Sequence, residues 1–335
     1  MAIGRNIVIL LVLIPGLMAC SADRNVLGTA EGVDQTAAET VQTNATWVHP
    51  AIQEAVASRT LSPGTSQTTA QPVATRTAGK MATLTPSGAR AQTATPSVPA
   101  CLEEPGRIVK KSLPTSLLRD ALEYRIYLPP CYFEQTSEHY PVLYLFHGQG
   151  FTDDQWDRIG VDEMSDKLIA AGKIAPLIIV MPHDVSSAQP SETNFSRVIL
   201  EQLIPAIDET YRTKAERLYR AVGGMSRGGG WAIHFGITYW KYFGALGAHS
   251  PAVFHSDGLR MKTLLDALPP SEAPRIYIDI GDRDRPEILQ VASWFEGLLD
   301  QRDIPHEWHL FSGYHAEAYW SEHLEQYLIW YTQDW

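Results

Sequence analysis

Residues 223–230 read GGMSRGGG and place one serine, Ser226, between two runs of glycine. Glycine costs conformational entropy on folding, so such a cluster indicates a backbone conformation or a close approach that a side chain would prevent. The narrower pattern, residues 224–228, is G-x-S-x-G, which is typical of a sharp turn that exposes a nucleophilic hydroxyl between a strand and a helix. Ser226 is therefore a candidate nucleophile if a strand precedes it and a helix follows.

A serine hydroxyl becomes a good nucleophile when a base takes its proton, and that base needs a third group to orient it. After Ser226, the predicted strand 275–280 ends in Gly-Asp-Arg-Asp, and the loop after the next predicted strand contains His315. Open α/β sheets hold their ligands in loops at the carboxyl ends of strands. We therefore take His315 as the base and favour Asp284 as the acid, with Asp282 as the alternative.

An oxyanion formed in acyl transfer needs hydrogen-bond donors on two sides. One donor is the backbone N–H of the residue after the nucleophile, here Arg227. The second is expected from the loop after an early strand, where HGQG occupies residues 147–150. We assign it to the N–H of Gln149 or of its neighbour Gly148. His147 precedes the serine in the chain, and we interpret it as a side chain that supports this loop.

Apolar strand candidates alternate with amphipathic helical stretches beyond Cys101. This alternation is typical of a mostly parallel sheet covered by helices on both faces, so we predict one α/β domain over residues 101–335. Strand 218–222 and helix 229–237 flank Ser226, as its pattern requires. The predicted strands are 123–128, 141–146, 176–181, 218–222, 243–247, 275–280 and 306–311, and the predicted helices are 161–171, 195–211, 229–237, 259–268, 285–300 and 316–331.

The first twenty residues are typical of an export signal, with Arg5 followed by the apolar stretch 7–17. Residues 17–20 read LMAC and resemble the bacterial lipobox, in which the cysteine is lipidated and becomes the mature N-terminus. An ordinary signal peptide is the alternative. Residues 21–100 are rich in Thr, Ala, Ser and Pro and poor in large apolar side chains, which predicts a disordered tether. We expect an exported protein held at a membrane by Cys20.

The chain of 335 residues has a net charge of −11 and no run of lysine or arginine. This balance argues against nucleic acid or an anionic membrane surface as a partner. Two cysteines remain beyond Cys20. In an exported protein Cys101 and Cys131 are expected to form one disulfide, and two free thiols are the alternative. Neither lies in a metal-binding pattern, and the chemistry above needs no metal or cofactor.

The segments LYLFHGQG, AVGGMSRGGGWAIHFG, IYIDIGDRD and SGYHAEAYWSEHL resemble the "putative esterase" branch of the α/β-hydrolases. That branch contains esterase D, feruloyl and acetyl-xylan esterases, enterochelin-type esterases and mycolyltransferases. The resemblance runs from about residue 112 to the C-terminus. It implies the α/β-hydrolase fold and the following roles: Ser226 as nucleophile, Asp284 as acid, His315 as base, and the backbones of Gln149 and Arg227 as oxyanion hole.

Arg227 departs from this family, which more often carries Met, Leu, Phe or Gln after the nucleophile. Its guanidinium would either favour an acidic acyl group or turn outward and pair with a carboxylate. Three aromatic residues, Trp156, Trp231 and Tyr314, are expected near the mouth of the site, where they would stack on a sugar or a phenolic acyl group. The hydrophobic core is their alternative location.

Export on a long tether favours a carbohydrate-linked feruloyl or acetyl ester as the substrate. The enzymatic alternatives are a siderophore-ester hydrolase and an acyltransferase. The alternative from another class is a tethered binding lipoprotein that has the fold but no activity.

Overall fold

The computed structural model describes residues 100–335. The predicted export signal, Cys20 and the predicted tether up to residue 99 lie outside the described residues. Eight strands form one sheet: Arg107–Leu113 (β1), Leu122–Leu128 (β2), Val142–Phe146 (β3), Ile178–Pro182 (β4), Arg220–Met225 (β5), Ala245–His249 (β6), Arg275–Gly281 (β7) and Glu307–Phe311 (β8).

Helices occupy most of the connections between these strands. They are Gln155–Arg158 (α1), Val161–Ala170 (α2), Phe195–Val198 (α3), Ile204–Thr210 (α4), Arg227–Ile233 (α5), His255–Gly258 (α6), Met261–Asp266 (α7), Pro286–Asp300 (α8), Glu317–Glu322 (α9) and Leu324–Thr332 (α10). π-helical segments, Ile199–Leu203 and His234–Thr238, join α3 to α4 and extend α5. Short 3₁₀ turns are Ala100–Glu103, Pro190–Glu192, Arg217–Tyr219, Trp240–Tyr242 and Pro270–Glu272.

The strand order is β1-β2-β4-β3-β5-β6-β7-β8. The pairs β1/β2 and β2/β4 are antiparallel, and all pairs from β4/β3 to β7/β8 are parallel. The carboxyl ends of β3, β5, β6, β7 and β8 therefore meet at one edge of the sheet, and the loops that follow these strands lie there.

Both faces of the sheet are covered, which explains why its central strands are apolar without alternation. In β3, Tyr144 and Phe146 pack into one hydrophobic cluster, whereas Leu143 and Leu145 pack into the cluster on the opposite face. The predicted mostly parallel sheet between two helical layers is therefore confirmed.

Strand β1 was not predicted from the sequence. Its residues RIVKKSL are largely exposed, and among the described strands it pairs only with β2, at the edge of the sheet. An edge strand buries little apolar surface, so its sequence shows neither a continuous apolar run nor a regular alternation. The helix predicted over residues 316–331 is interrupted at His323, which separates α9 from α10.

Cys101 and Cys131 are joined by a disulfide across 30 residues of chain. It links the first described turn to the loop after β2, so the start of the α/β domain is fixed covalently to its sheet. Among the described residues, no helix is both long enough and apolar enough to span a bilayer.

Candidate active site

Ser226 lies in a strained turn between β5 and α5. Its backbone has φ 56° and ψ −120°, in a region that non-glycine residues rarely occupy. The neighbouring strand holds this conformation, because the Ser226 N–H donates to the His249 carbonyl at 2.9 Å. The strand, turn and helix required by the sequence pattern are therefore all present.

The glycines around Ser226 allow the turn to pack closely. A Cβ on Gly224 would lie 2.2 Å from the Gly228 carbonyl oxygen, and a Cβ on Gly228 would lie 2.0 Å from the Phe146 carbonyl oxygen. Neither contact is sterically possible. The start of α5 thus lies directly against the ends of β3 and β5, and only glycine permits this approach.

Three side chains from three loops meet at the turn. The Ser226 Oγ lies 2.9 Å from His315 Nε2, and His315 Nδ1 lies 2.8 Å from Asp284 Oδ1. The side chains of His315 and Asp284 are buried. If the imidazole is neutral with its proton on Nδ1, that N–H donates to Asp284 and the lone pair of Nε2 accepts the serine hydroxyl. This is the arrangement that allows His315 to act as a base toward Ser226.

The two competing carboxylates after β7 have different partners. Asp284 contacts His315, whereas Asp282 is exposed and accepts the Gly313 N–H at 2.9 Å. That hydrogen bond, together with Arg283 at 3.4 Å, lowers the pKa of Asp282 below its ordinary value. Asp282 therefore contacts the loop that carries the histidine, and of the two carboxylates it is Asp284 that contacts the imidazole.

The loop after β3 lies beside the nucleophile. A Cβ on Gly148 would lie 3.6 Å from Ser226 Cβ. The Gly148 N–H already donates to Gln155 Oε1 at 2.8 Å, and the Gln155 amide donates to Glu317 at 3.0 Å. Of the two predicted oxyanion donors in this loop, the Gly148 N–H is therefore already engaged, and the Gln149 N–H stays the prediction. Nothing in the sequence around Gln155 indicated this role, because its partner Glu317 is 162 residues away.

The buried His147 side chain supports this loop through hydrogen bonds. Burial lowers the pKa of its imidazole, which favours the neutral form. The ring is held on both sides, since Nε2 accepts the Asp184 N–H at 2.9 Å and Nδ1 lies 2.8 Å from the Gly148 carbonyl. Its hydrogen bonds thus connect the loop after β3 to the loop after β4.

The Arg227 guanidinium neither turns outward nor lies open to an acyl group. Its Nη2 is 2.8 Å from Asp184 Oδ2, and both side chains are almost completely buried. Trp231 Nε1 donates to the same carboxylate oxygen at 2.8 Å, and the guanidinium lies over the Phe254 ring at 4.9 Å. The departure from the family at this position is therefore accommodated by a buried ion pair.

The variant Arg227→Met is expected to lower the free energy of unfolding by about 3–5 kcal/mol, because it leaves the Asp184 carboxylate buried without its cation. Urea unfolding followed by circular dichroism measures this change. The double variant Arg227→Met/Asp184→Asn carries no buried charge and should recover most of the loss. Equal stability of the wild type and the single variant would show that the pair contributes nothing to folding.

Two of the three predicted substrate-binding aromatics belong to the core, which corrects that prediction. Trp156 is 2% exposed and donates to the Phe146 carbonyl, and Trp231 is 1% exposed. Both helices that carry them turn these large apolar rings toward the sheet. Tyr314, next to His315, is 57% exposed. Sequence reasoning missed Phe151, which is 41% exposed and follows the HGQG loop directly.

Among the described residues, three side chains outside this site lie close enough together to hold a metal ion. Glu296, Asp300 and His306 each place one ligand atom within 4.8 Å of the others.

Residues 115–331 match the family model described as "Putative esterase". The chain is 31% identical over 173 residues to an endo-1,4-beta-xylanase/feruloyl esterase of Xylanibacter ruminicola, which covers 48% of this chain and 23% of that protein. It is 36% identical over 141 residues to an esterase of Mycobacterium tuberculosis, which covers 39% of this chain and 29% of that protein. The chain thus spans about a quarter of the length of these curated relatives.

The fold is also found among solved structures. A ferulic acid esterase superposes with a TM-score of 0.62 at 23% identity, over 68% of this chain and 98% of that one. The predicted α/β-hydrolase fold is confirmed by this likeness.

Proposed function

The chain belongs to the esterase family whose model it matches, and we propose that it hydrolyses carboxylic esters through an acyl-enzyme on Ser226. The observation that carries the proposal is the contact of Ser226 Oγ with His315 Nε2 at 2.9 Å, with Asp284 on the other side of the imidazole. Serine, histidine and aspartate in this order of contact are the groups that activate a hydroxyl for acyl transfer.

In the proposed reaction, the Ser226 oxygen attacks the ester carbonyl while its proton moves to His315 Nε2. The backbone N–H groups of Gln149 and Arg227 stabilise the oxyanion, aided by the start of α5, where the helix dipole favours negative charge. His315 then gives the proton to the leaving alcohol. A water molecule, deprotonated by His315, hydrolyses the acyl-enzyme and restores Ser226.

We propose a carbohydrate-linked feruloyl or acetyl ester as the substrate. The name of the Xylanibacter relative and that of the ferulic acid esterase neighbour support this class. The position of Phe151 also supports it, because a Cβ on Gly148 would lie 3.7 Å from the Phe151 ring and 3.6 Å from Ser226 Cβ. An exposed aromatic ring this close to the nucleophile suits a phenolic acyl group.

The test is hydrolysis of p-nitrophenyl acetate, methyl ferulate, acetylated xylan and a catecholate triester by the purified full-length chain. Turnover of methyl ferulate or acetylated xylan above the triester is the expected result. The variant Phe151→Ala should raise KM for methyl ferulate and leave KM for p-nitrophenyl acetate unchanged. No turnover of any ester by the folded protein would overturn the proposed function.

We further propose that the protein is exported and attached to a membrane through a lipid on Cys20. The apolar stretch before LMAC supports this, and so does the disulfide between Cys101 and Cys131, since disulfides persist in oxidising compartments. In a bacterial host the full-length chain should fractionate with membranes, and Cys20→Ser should move it to the soluble fraction. Membrane association that is unchanged in Cys20→Ser would rule out the lipid anchor.

A further inference from the structure

A second histidine–aspartate pair lies in the core beneath the triad. His249 at the end of β6 and Asp279 in β7 are both 0% exposed, and His249 Nδ1 lies 2.6 Å from Asp279 Oδ1. The other carboxylate oxygen accepts the hydroxyls of Tyr319 at 2.6 Å and Tyr327 at 2.7 Å. The Tyr331 hydroxyl lies 3.0 Å from His249 Nε2. The proposed reaction uses none of these groups.

The hydrogen bonds of this cluster are all satisfied by one arrangement of its protons. Burial raises the pKa of Tyr319 and Tyr327 far above the ordinary value, so both hydroxyls stay protonated and donate to Asp279. With a neutral His249 whose proton is on Nδ1, the carboxylate accepts three hydrogen bonds, and Tyr331 donates to Nε2. Every hydrogen bond of the cluster then has one donor and one acceptor, which satisfies a carboxylate that is completely removed from water.

One end of the cluster holds the nucleophile. The backbone of His249 accepts the Ser226 N–H at 2.9 Å, and the Ala252 N–H donates to the Ser226 carbonyl at 3.0 Å. The His249 side chain therefore connects Asp279 to the segment that holds Ser226 in its strained conformation.

The other end holds the base. Tyr319 is in α9, which begins two residues after His315, and its ring packs against the loop before that histidine. A Cβ on Gly313 would lie 2.3 Å from the Tyr319 ring, so the contact is as close as the chain allows. The Tyr319 hydroxyl connects Asp279 to the loop that carries His315.

We propose that Asp279 is a positioning residue that sets the separation of Ser226 and His315, acting on the serine through His249 and on the histidine loop through Tyr319. This inference rests on the proposed function. A buried carboxylate with three hydrogen-bond donors is not needed for stability, because apolar side chains of similar volume usually stabilise a core at least as well. Its place between the two supporting segments gives it a role in the geometry of the reacting pair.

Two tyrosines provide a matched test. Tyr319→Phe and Tyr327→Phe each remove one buried hydroxyl from the same oxygen of Asp279 and keep the ring. The Tyr319 ring packs against Gly313 in the His315 loop, whereas the Tyr327 ring stacks on His249, a contact that phenylalanine preserves. We expect Tyr319→Phe to lower kcat by about 10- to 100-fold with KM unchanged, because small displacements of reacting groups have effects of this size. Tyr327→Phe should lose about as much thermal stability as Tyr319→Phe but keep the kcat of the wild type.

The other arm of the cluster keeps the proposal testable if Tyr319→Phe does not fold. His249→Asn retains an amide that can donate to Asp279, whereas His249→Leu does not, so the asparagine variant should keep the higher kcat. The rate at which a fluorophosphonate labels Ser226 should follow the same order in all variants, since it depends on the serine–histidine contact and not on ester binding.

The outcomes separate this inference from the proposed function. Wild-type protein that neither hydrolyses esters nor reacts with the fluorophosphonate would overturn both. Active wild-type protein whose kcat is unchanged in Tyr319→Phe would overturn only the positioning role of Asp279, because the hydroxyl would then act through stability alone.

Discussion

Ser226→Ala is expected to lower kcat for the preferred ester by about 10⁵- to 10⁶-fold, because the atom that would be acylated is absent. The residual reaction would depend on the oxyanion donors and on substrate binding, which by themselves still exceed the reaction in water. KM should change little if the serine contributes to the transition state and not to ground-state binding. Steady-state hydrolysis at high enzyme concentration measures the difference.

The control for this prediction is Ser165→Ala, which removes the hydroxyl of a fully buried serine outside the site. Ser165 lies in α2, where its hydroxyl donates to the Val161 carbonyl at 2.7 Å. Its removal should cost stability of about 1 kcal/mol and leave kcat unchanged. Ester hydrolysis that survives in Ser226→Ala would show that another group is the nucleophile.

The site residues that directly follow strands could be predicted from the sequence. Ser226, Asp284 and His315 were grouped because each lies in a loop after an apolar strand, and the loops after parallel strands share one edge of the sheet. The structure brings these three side chains within hydrogen-bond distance. Local pattern and topology together are enough for that step.

The residues that support the site could not be predicted from the sequence in the same way. Gln155, Asp184 and Asp279 each have a hydrogen-bond partner between 30 and 162 positions away in the chain. No periodicity or local motif reports such a contact. Asp279 in particular lies inside an apolar strand, where a lone carboxylate gives no indication of the tyrosines that satisfy it.

The positions of the aromatic side chains were also not predictable from the sequence alone. A tryptophan in an amphipathic helix has the same sequence appearance whether its ring faces the sheet or the solvent, and Trp156 and Trp231 face the sheet. Tyr314 could be placed outside because the loop that carries it leaves the sheet after β8. Predictions of substrate contacts from residue type alone therefore fail where packing decides the direction of the side chain.

Asp284→Ala is expected to lower kcat by about 10⁴-fold, since the imidazole loses both the group that orients it and the charge that stabilises its protonated form. The matched control is Asp282→Ala, which removes a carboxylate two residues away that contacts Gly313 and Arg283 instead of the histidine. We expect this variant to lose about tenfold or less, through loosening of the loop. A larger loss in Asp282→Ala than in Asp284→Ala would reverse the assignment of the acid.

Asp284→Asn separates the two contributions of the carboxylate. Asp284 Oδ1, the atom that contacts His315, also accepts the Arg285 N–H at 2.6 Å. Because that backbone donor prefers an oxygen, it should hold the amide oxygen of the asparagine variant toward His315 Nδ1 and preserve the reactive tautomer. We therefore expect Asp284→Asn to retain more kcat than Asp284→Ala, with the remaining deficit due to the missing charge. Equal losses in the two variants would mean that charge, and not orientation, is what Asp284 supplies.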